Sequence, residues 1–143
     1  MVLAEDILLD KQKVQAAIDQ AVMITKRNMI KFQDYFPDAV SVNGIYRYTS
    51  GDEAGHALWW QGFWCGRVWL LYEITGEAPI RCYGEKLTYH IYKLLDKQGL
   101  PHSDIGLLTV PSCIADYKFT GSTIARETAI AAADSFFCMA AYR

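Results

Sequence analysis

The feature that most constrains this chain is an internal repeat. Tyr72, Glu73, Ile74, Thr75 and Gly76, with Arg81 beyond, recur as Tyr117, Lys118, Phe119, Thr120 and Gly121, with Arg126 beyond; every matched position is offset by 45 residues. Each copy reads as a helix ending on Thr-Gly, a tight turn, and a second helix that starts at once. Such a helical hairpin buries its apolar faces only against neighbouring copies, so a period of this size predicts stacked hairpins. No stretch alternates with period two over a convincing length, and the predicted class is all-α.

The rest of the chain reads the same way. Asp10 is a plausible N-cap for a helix running to about Phe32, with Val14, Ile18, Val22 and Met29 along one stripe. Residues 37–55, rich in Pro, Asn, Gly, Ser and Asp, read as a long loop. A second helix spans about Trp60 to Thr75 and stops at Gly76; a third runs from about Ile80 to Lys97. Residues 99–110 read as another long loop leading to Pro111, which suits the first turn of a fourth helix ending at Gly121. Ser122 then caps a fifth. Connections inside a hairpin are short and those between hairpins long. That asymmetry favours a toroid with a site at the loose rim over an open solenoid.

Composition narrows the function classes. A net charge of −2 with no Lys/Arg cluster excludes a nucleic-acid footprint. No apolar run approaches the roughly 18 residues that span a bilayer, and the opening Met1–Lys13 carries acids within its short apolar stretch, unlike a signal peptide. The expected compartment is the cytoplasm, with no membrane partner. Cys65, Cys82, Cys113 and Cys138 form no CxxC pair and have no His at ligand spacing, so no metal is expected and all four read as small buried hydrophobes.

Two segments could carry chemistry. Trp59, Trp60, Trp64 and Trp69 fall within eleven residues around Gly62 and Gly66, whose i,i+4 spacing leaves a smooth strip open to close approach by another helix or a ligand. Phe63, Trp64 and Trp69 read as core, while Trp59, at the loop–helix junction, is the candidate for a cavity. The second segment is His102, Ser103, Asp104, Ile105 and Gly106. An acid beside a His entering a helix is what an ordinary turn or cap contains; it is also where a carboxylate could face a sugar as acid, base or orienting group. Spacing leaves both open.

The pattern Trp59, Gly62, Phe63, Trp64, Gly66, Trp69, Leu70, Tyr72, Glu73, Thr75 and Gly76 resembles the signature stretch of the unsaturated glucuronyl hydrolases, glycoside hydrolase family 88. His102, Asp104, Ile105 and Gly106, then Pro111, Ser112, Thr120 and Gly121, and the run Ala131–Asp134, resemble that family in the same order. The resemblance, from about residue 15 onward, implies an (α/α)6 toroid of twelve helices, of which this chain holds about five. It implies hydrolysis of oligosaccharides bearing a 4,5-unsaturated uronic acid, the products of polysaccharide lyases. An acid protonates the ring double bond, water adds to the oxocarbenium-like centre, and the opened product releases the neighbouring sugar, with no cofactor. Asp104 matches one of two catalytic aspartates, Trp59 an aromatic that packs on the unsaturated sugar, and His102 a substrate-binding position.

The departures are Ser103, where the family often has His; Leu107, where Phe is usual; and Trp60 and Gln61, in place of a small polar pair. No counterpart of the second aspartate occurs before Arg143. The expectation is therefore a single, incomplete toroid domain over residues 1–143 that lacks a C-terminal portion, has little activity alone and self-associates through uncovered faces. Two other readings stay open: a non-catalytic helical-repeat module binding a peptide, partner helix or carbohydrate, and a catalytically dead carbohydrate-binding remnant.

Overall fold

The computed structural model describes residues 10–49, 59–98 and 104–141. The chain divides into two units, Met1–Lys31 and Phe32–Arg143. The first is the helix α1 (Lys11–Phe32), whose last residue opens the second unit. The Asp10 carboxylate accepts the Gln12 N–H at 3.0 Å and its carbonyl accepts that of Val14, also at 3.0 Å, so the predicted cap and both helix ends stand.

The first correction follows directly. Residues expected as loop form an antiparallel hairpin, β1 (Phe36–Val42) and β2 (Ile45–Thr49), the one departure from all-α among the described residues. Asn43 and Gly44 turn the chain with φ of 52° and 74°, and Val42 pairs with Ile45 across them. Two successive left-handed residues match the twist of the flanking strands, which is why Asn-Gly between apolar residues makes hairpins. Phe36 is fully buried and meets His90 edge-on at 5.3 Å, anchoring the base of the hairpin.

The repeat then appears as two helical hairpins. The first is α2 (Trp59–Thr75) and α3 (Ala78–Gln98); the second is α4 (Ile105–Thr109), a π-helical turn (Val110–Ile114) and α5 (Ala115–Thr120), followed by α6 (Thr123–Ala141). Their turns are copies of each other. Gly76 and Gly121 take φ of 66° and 75°, and their N–H groups donate to Tyr72 and Tyr117 carbonyls at 2.7 and 2.9 Å. The Thr75 and Thr120 hydroxyls donate to the carbonyls four residues back at 2.8 and 2.9 Å and accept the N–H two residues on. A threonine that satisfies both sides of a glycine turn explains why Thr-Gly marks this corner.

The second correction concerns the fourth helix. It begins at Ile105, six residues before Pro111, so the expected 99–110 loop is helical from residue 105 and residues 99–103 lie outside the described residues. Pro111 sits inside the helical run, where its missing N–H and its ring would break a regular α-helix; the wider π turn accommodates it.

Packing inside the second unit follows helical spacing. Ile80, Leu87, Ile91 and Leu94 form the buried stripe of α3, and Trp64, Cys65, Val68 and Trp69 that of α2. Trp69 joins the two hairpins: it stacks on Phe119 at 5.9 Å and 17°, meets Tyr72 edge-on, and donates its indole N–H to Thr88 Oγ1 at 3.2 Å. At the repeat-equivalent positions 73 and 118, Lys118 Nζ lies 3.5 Å from Glu73 Oε1. Trp64 and Trp69 are core as predicted, but Phe63 is 48% exposed, because α2 presents residues 63, 70 and 74 on its outward stripe. Cys65 and Cys113 are buried, whereas Cys82 and Cys138 are exposed and do not follow the expectation.

Candidate functional site

Two helix starts lie side by side. Trp59 opens α2 and Asp104 stands immediately before α4, and the two positions differ by one repeat length of 45 residues. Packing gives the direction. A Cβ added at Gly62 would lie 2.6 Å from the Leu108 carbonyl oxygen, and one added at Gly66 would lie 2.8 Å from Pro111 Cβ. Both helices thus advance together from this contact, running parallel, and their beginnings share one rim, opposite the tight Gly76 and Gly121 turns. The smooth strip read from Gly62 and Gly66 is occupied by a neighbouring helix.

At this rim Trp59 is 40% exposed and meets Trp60 and Phe63 edge-on at 5.8 and 5.7 Å. Asp104 is half-buried, with φ −88° and ψ 5°; its carbonyl accepts the N–H groups of Leu107 and Leu108 at 2.9 and 3.3 Å. Asp104 thus occupies the N-cap position through its backbone, while its side chain makes no capping bond to the helix it precedes. His102 lies outside the described residues. Among the described residues no cluster of three His, Cys, Asp or Glu could hold a metal, and no helix is long and apolar enough to cross a membrane.

Two cavities flank the second hairpin. The larger, about 660 Å³, is an apolar groove bounded by Phe63, Leu107, Val110, Ile114, Phe136 and Phe137 over an alanine floor. The smaller, about 170 Å³, is lined by Glu85, Thr88, Tyr92, Asp116 and Ser122. Sequence reading missed Asp116, which is buried and accepts the Thr120 hydroxyl at 2.7 Å. Burial raises its carboxyl above the ordinary aspartate value, the Thr120 bond opposes that, and Glu85 adds to it. The signal was available: the repeat aligns Asp116 with the buried Leu71, a carboxylate in an apolar place.

Paired helices, tight at one rim and carrying Trp59 and Asp104 at the other, define a section of a helical-hairpin toroid. No family model matches the chain. It is 33% identical over 128 residues to the unsaturated chondroitin disaccharide hydrolase of Streptococcus pneumoniae, covering 89% of this chain and 31% of that protein. It is 36% identical over 121 residues to the unsaturated glucuronyl hydrolase of Bacillus sp. strain GL1, covering 84% and 31%. The crystal structure of the unsaturated glucuronyl hydrolase of Streptococcus agalactiae superposes with a TM-score of 0.82 at 31% identity, covering 92% of this chain and 34% of that one. A variant of that enzyme has been crystallised with dGlcA-GalNAc6S. The chain is thus similar, over nearly its whole length, to a partial, N-terminal region of the unsaturated glucuronyl hydrolases, and its hairpins are part of their toroid. It spans about a third of the length of the curated relatives it matches.

Proposed function

We propose that this chain is part of a glycoside hydrolase acting on lyase-generated oligosaccharides that end in a 4,5-unsaturated uronic acid. Its similarity to the unsaturated glucuronyl hydrolases along most of its length carries the reading; the common rim of Trp59 and Asp104 supports it. Trp59 packs its indole against the C–H face of the unsaturated ring. Asp104 is the carboxyl group that delivers a proton to the double bond or activates the water that adds to the oxocarbenium-like carbon. The hydrated ring is a hemiketal; it opens and releases the neighbouring sugar. The bonds made are one C–H and one C–O, both from water, so no redox partner is needed. His102 binds the substrate from the segment before Asp104.

One carboxylate serves poorly as both acid and base, so the chain alone has little activity, and residues 1–143 belong to one toroid domain completed by further hairpins. The apolar groove beside α6 is where such a hairpin packs; left open, it drives self-association. The groove also favours a second reading, a non-catalytic module holding an amphipathic helix.

A chimaera separates the two. Replacing the matched third of the Streptococcus pneumoniae enzyme by this chain should yield a protein that bleaches the ultraviolet absorbance of an unsaturated chondroitin disaccharide, and Asp104→Asn should abolish that signal. A folded chimaera that binds helical peptides but never consumes the double bond would establish the module instead.

A further inference from the structure

Why is the strip at Gly62 bare when a helix, not a ligand, lies on it? The atoms nearest an added Cβ are backbone: the carbonyl oxygens of Leu107 and Leu108 and the Leu108 Cα, the last two at 2.6 and 2.7 Å. Real Cβ atoms do not approach backbone so closely, and no side-chain rotation relieves it. The same two residues, through their N–H groups, hold the Asp104 carbonyl. The carbonyl of Leu107 would be served in an α-helix by the N–H of residue 111, which is Pro and has none. That oxygen lies against Gly62.

From this we propose that Gly62 is a positioning residue: its missing side chain seats the first turn of α4 on α2 and thereby fixes where Asp104 stands at the rim. The inference rests on the reading of Asp104 as the carboxylate that faces the unsaturated sugar. Gly62 touches no substrate; it acts through two peptide groups. The preceding residue contributes no capping bond to anchor α4, and α4 is only five residues long before the π turn begins. α4 also packs against α6, but on its α2 side its backbone lies against Gly62 with no side chain between, and that sets how closely the two helices approach. Restoring an ordinary contact distance of about 3.4 Å requires the backbone at Leu108 to retreat by about 0.8 Å. A displacement near 1 Å at a reacting group costs roughly a hundredfold.

Three measurements test this, the first two on the 143-residue chain. In the unmodified chain, amide exchange at Leu107 and Leu108 should be as slow as within α2; exchange typical of a frayed helix end would overturn the proposal without any substitution. In Gly62→Ala, a crystal structure should show residues 104–108 displaced by about 0.8 Å from α2 while residues 115–120 stay in place; an unmoved Asp104 would overturn it. Turnover of an unsaturated chondroitin disaccharide by the chimaera described above should fall roughly a hundredfold when it carries Gly62→Ala. It should be unchanged in Gly76→Ala, a control that strains a left-handed glycine at the far rim with no atom within 4 Å of the new Cβ. Equal weakening in both variants would show a loss of stability alone and sink the proposal. Should the unmodified chimaera fold yet turn over no disaccharide, the sugar-facing reading of Asp104 fails, while exchange and displacement still decide what Gly62 does.

Discussion

Removing the ring of Trp69 should uncouple the two helical hairpins, and a double-mutant cycle with Phe119 measures by how much. Trp69 is 1% exposed, its ring stacks on Phe119 at 5.9 Å, and its N–H bonds to the buried Thr88 hydroxyl at 3.2 Å. Trp69→Leu keeps part of the apolar volume, so the packing loss is about 2–3 kcal/mol, below that of truncation to Ala. Orphaning the Thr88 hydroxyl adds about 1 kcal/mol. Phe119→Leu, at a half-buried site, should cost about 1–1.5 kcal/mol. The stacked pair itself is worth about 1 kcal/mol beyond the area it buries, and either single change forfeits that energy. The double variant should therefore be less destabilised than the sum of the singles by about 1 kcal/mol. Urea unfolding followed by far-ultraviolet circular dichroism reads this without relying on tryptophan emission. Additivity within about 0.3 kcal/mol would show that the rings merely fill space, and would refute the assignment of Trp69 as the joint between hairpins.

Two further outcomes are expected. Because burial raises the folded-state pKa of Asp116 above its unfolded value, its stabilising contribution is complete below the ordinary Asp range and is lost as pH rises through the raised value. Asp116→Asn should therefore gain stability relative to the parent chain across that window and level off above it; urea midpoints whose difference stays flat with pH would contradict this. The thiols should also divide two and two. Exposed Cys82 and Cys138 should react promptly with a disulfide reagent near pH 8, while Cys65, raised well above the usual range by burial, and Cys113, raised to about 11 for the same reason, should wait for unfolding. Four fast thiols would show that the α2 core opens readily.

The parts legible in the sequence were those fixed by local chemistry. Thr-Gly corners, the Asp10 cap and the Ser122 cap each satisfy helix-end groups with residues a few positions away, and each appeared where it was read. Asn43-Gly44 is equally local but hidden: its polar neighbourhood reads as loop, while Val42 and Ile45 on either side mark a turn between strands. Pro111 misled for a different reason. The rule that proline opens helices is sound for an isolated helix, but Gly66 leaves room for the ring and the π turn lets the run continue through it. Phe63 and the exposed cysteines depend on which way α2, α3 and α6 are rotated, which packing decides and single residues do not. Of the candidate site, Trp59 at a helix start was readable from the sequence; the start of α4 beside Asp104, hidden by the loop-like composition before Pro111, and the backbone contact that seats it on α2 were not.

The twin corners at Gly76 and Gly121 also bear on how such a protein comes into being. Contacts between the hairpins, such as Trp69 with Phe119 and Glu73 with Lys118, join residues about one period apart. Every such contact closes a loop of much the same length, so each hairpin added to the stack meets its neighbour at much the same entropic cost. As it leaves the ribosome, the second hairpin can settle on the first as soon as its own residues are made.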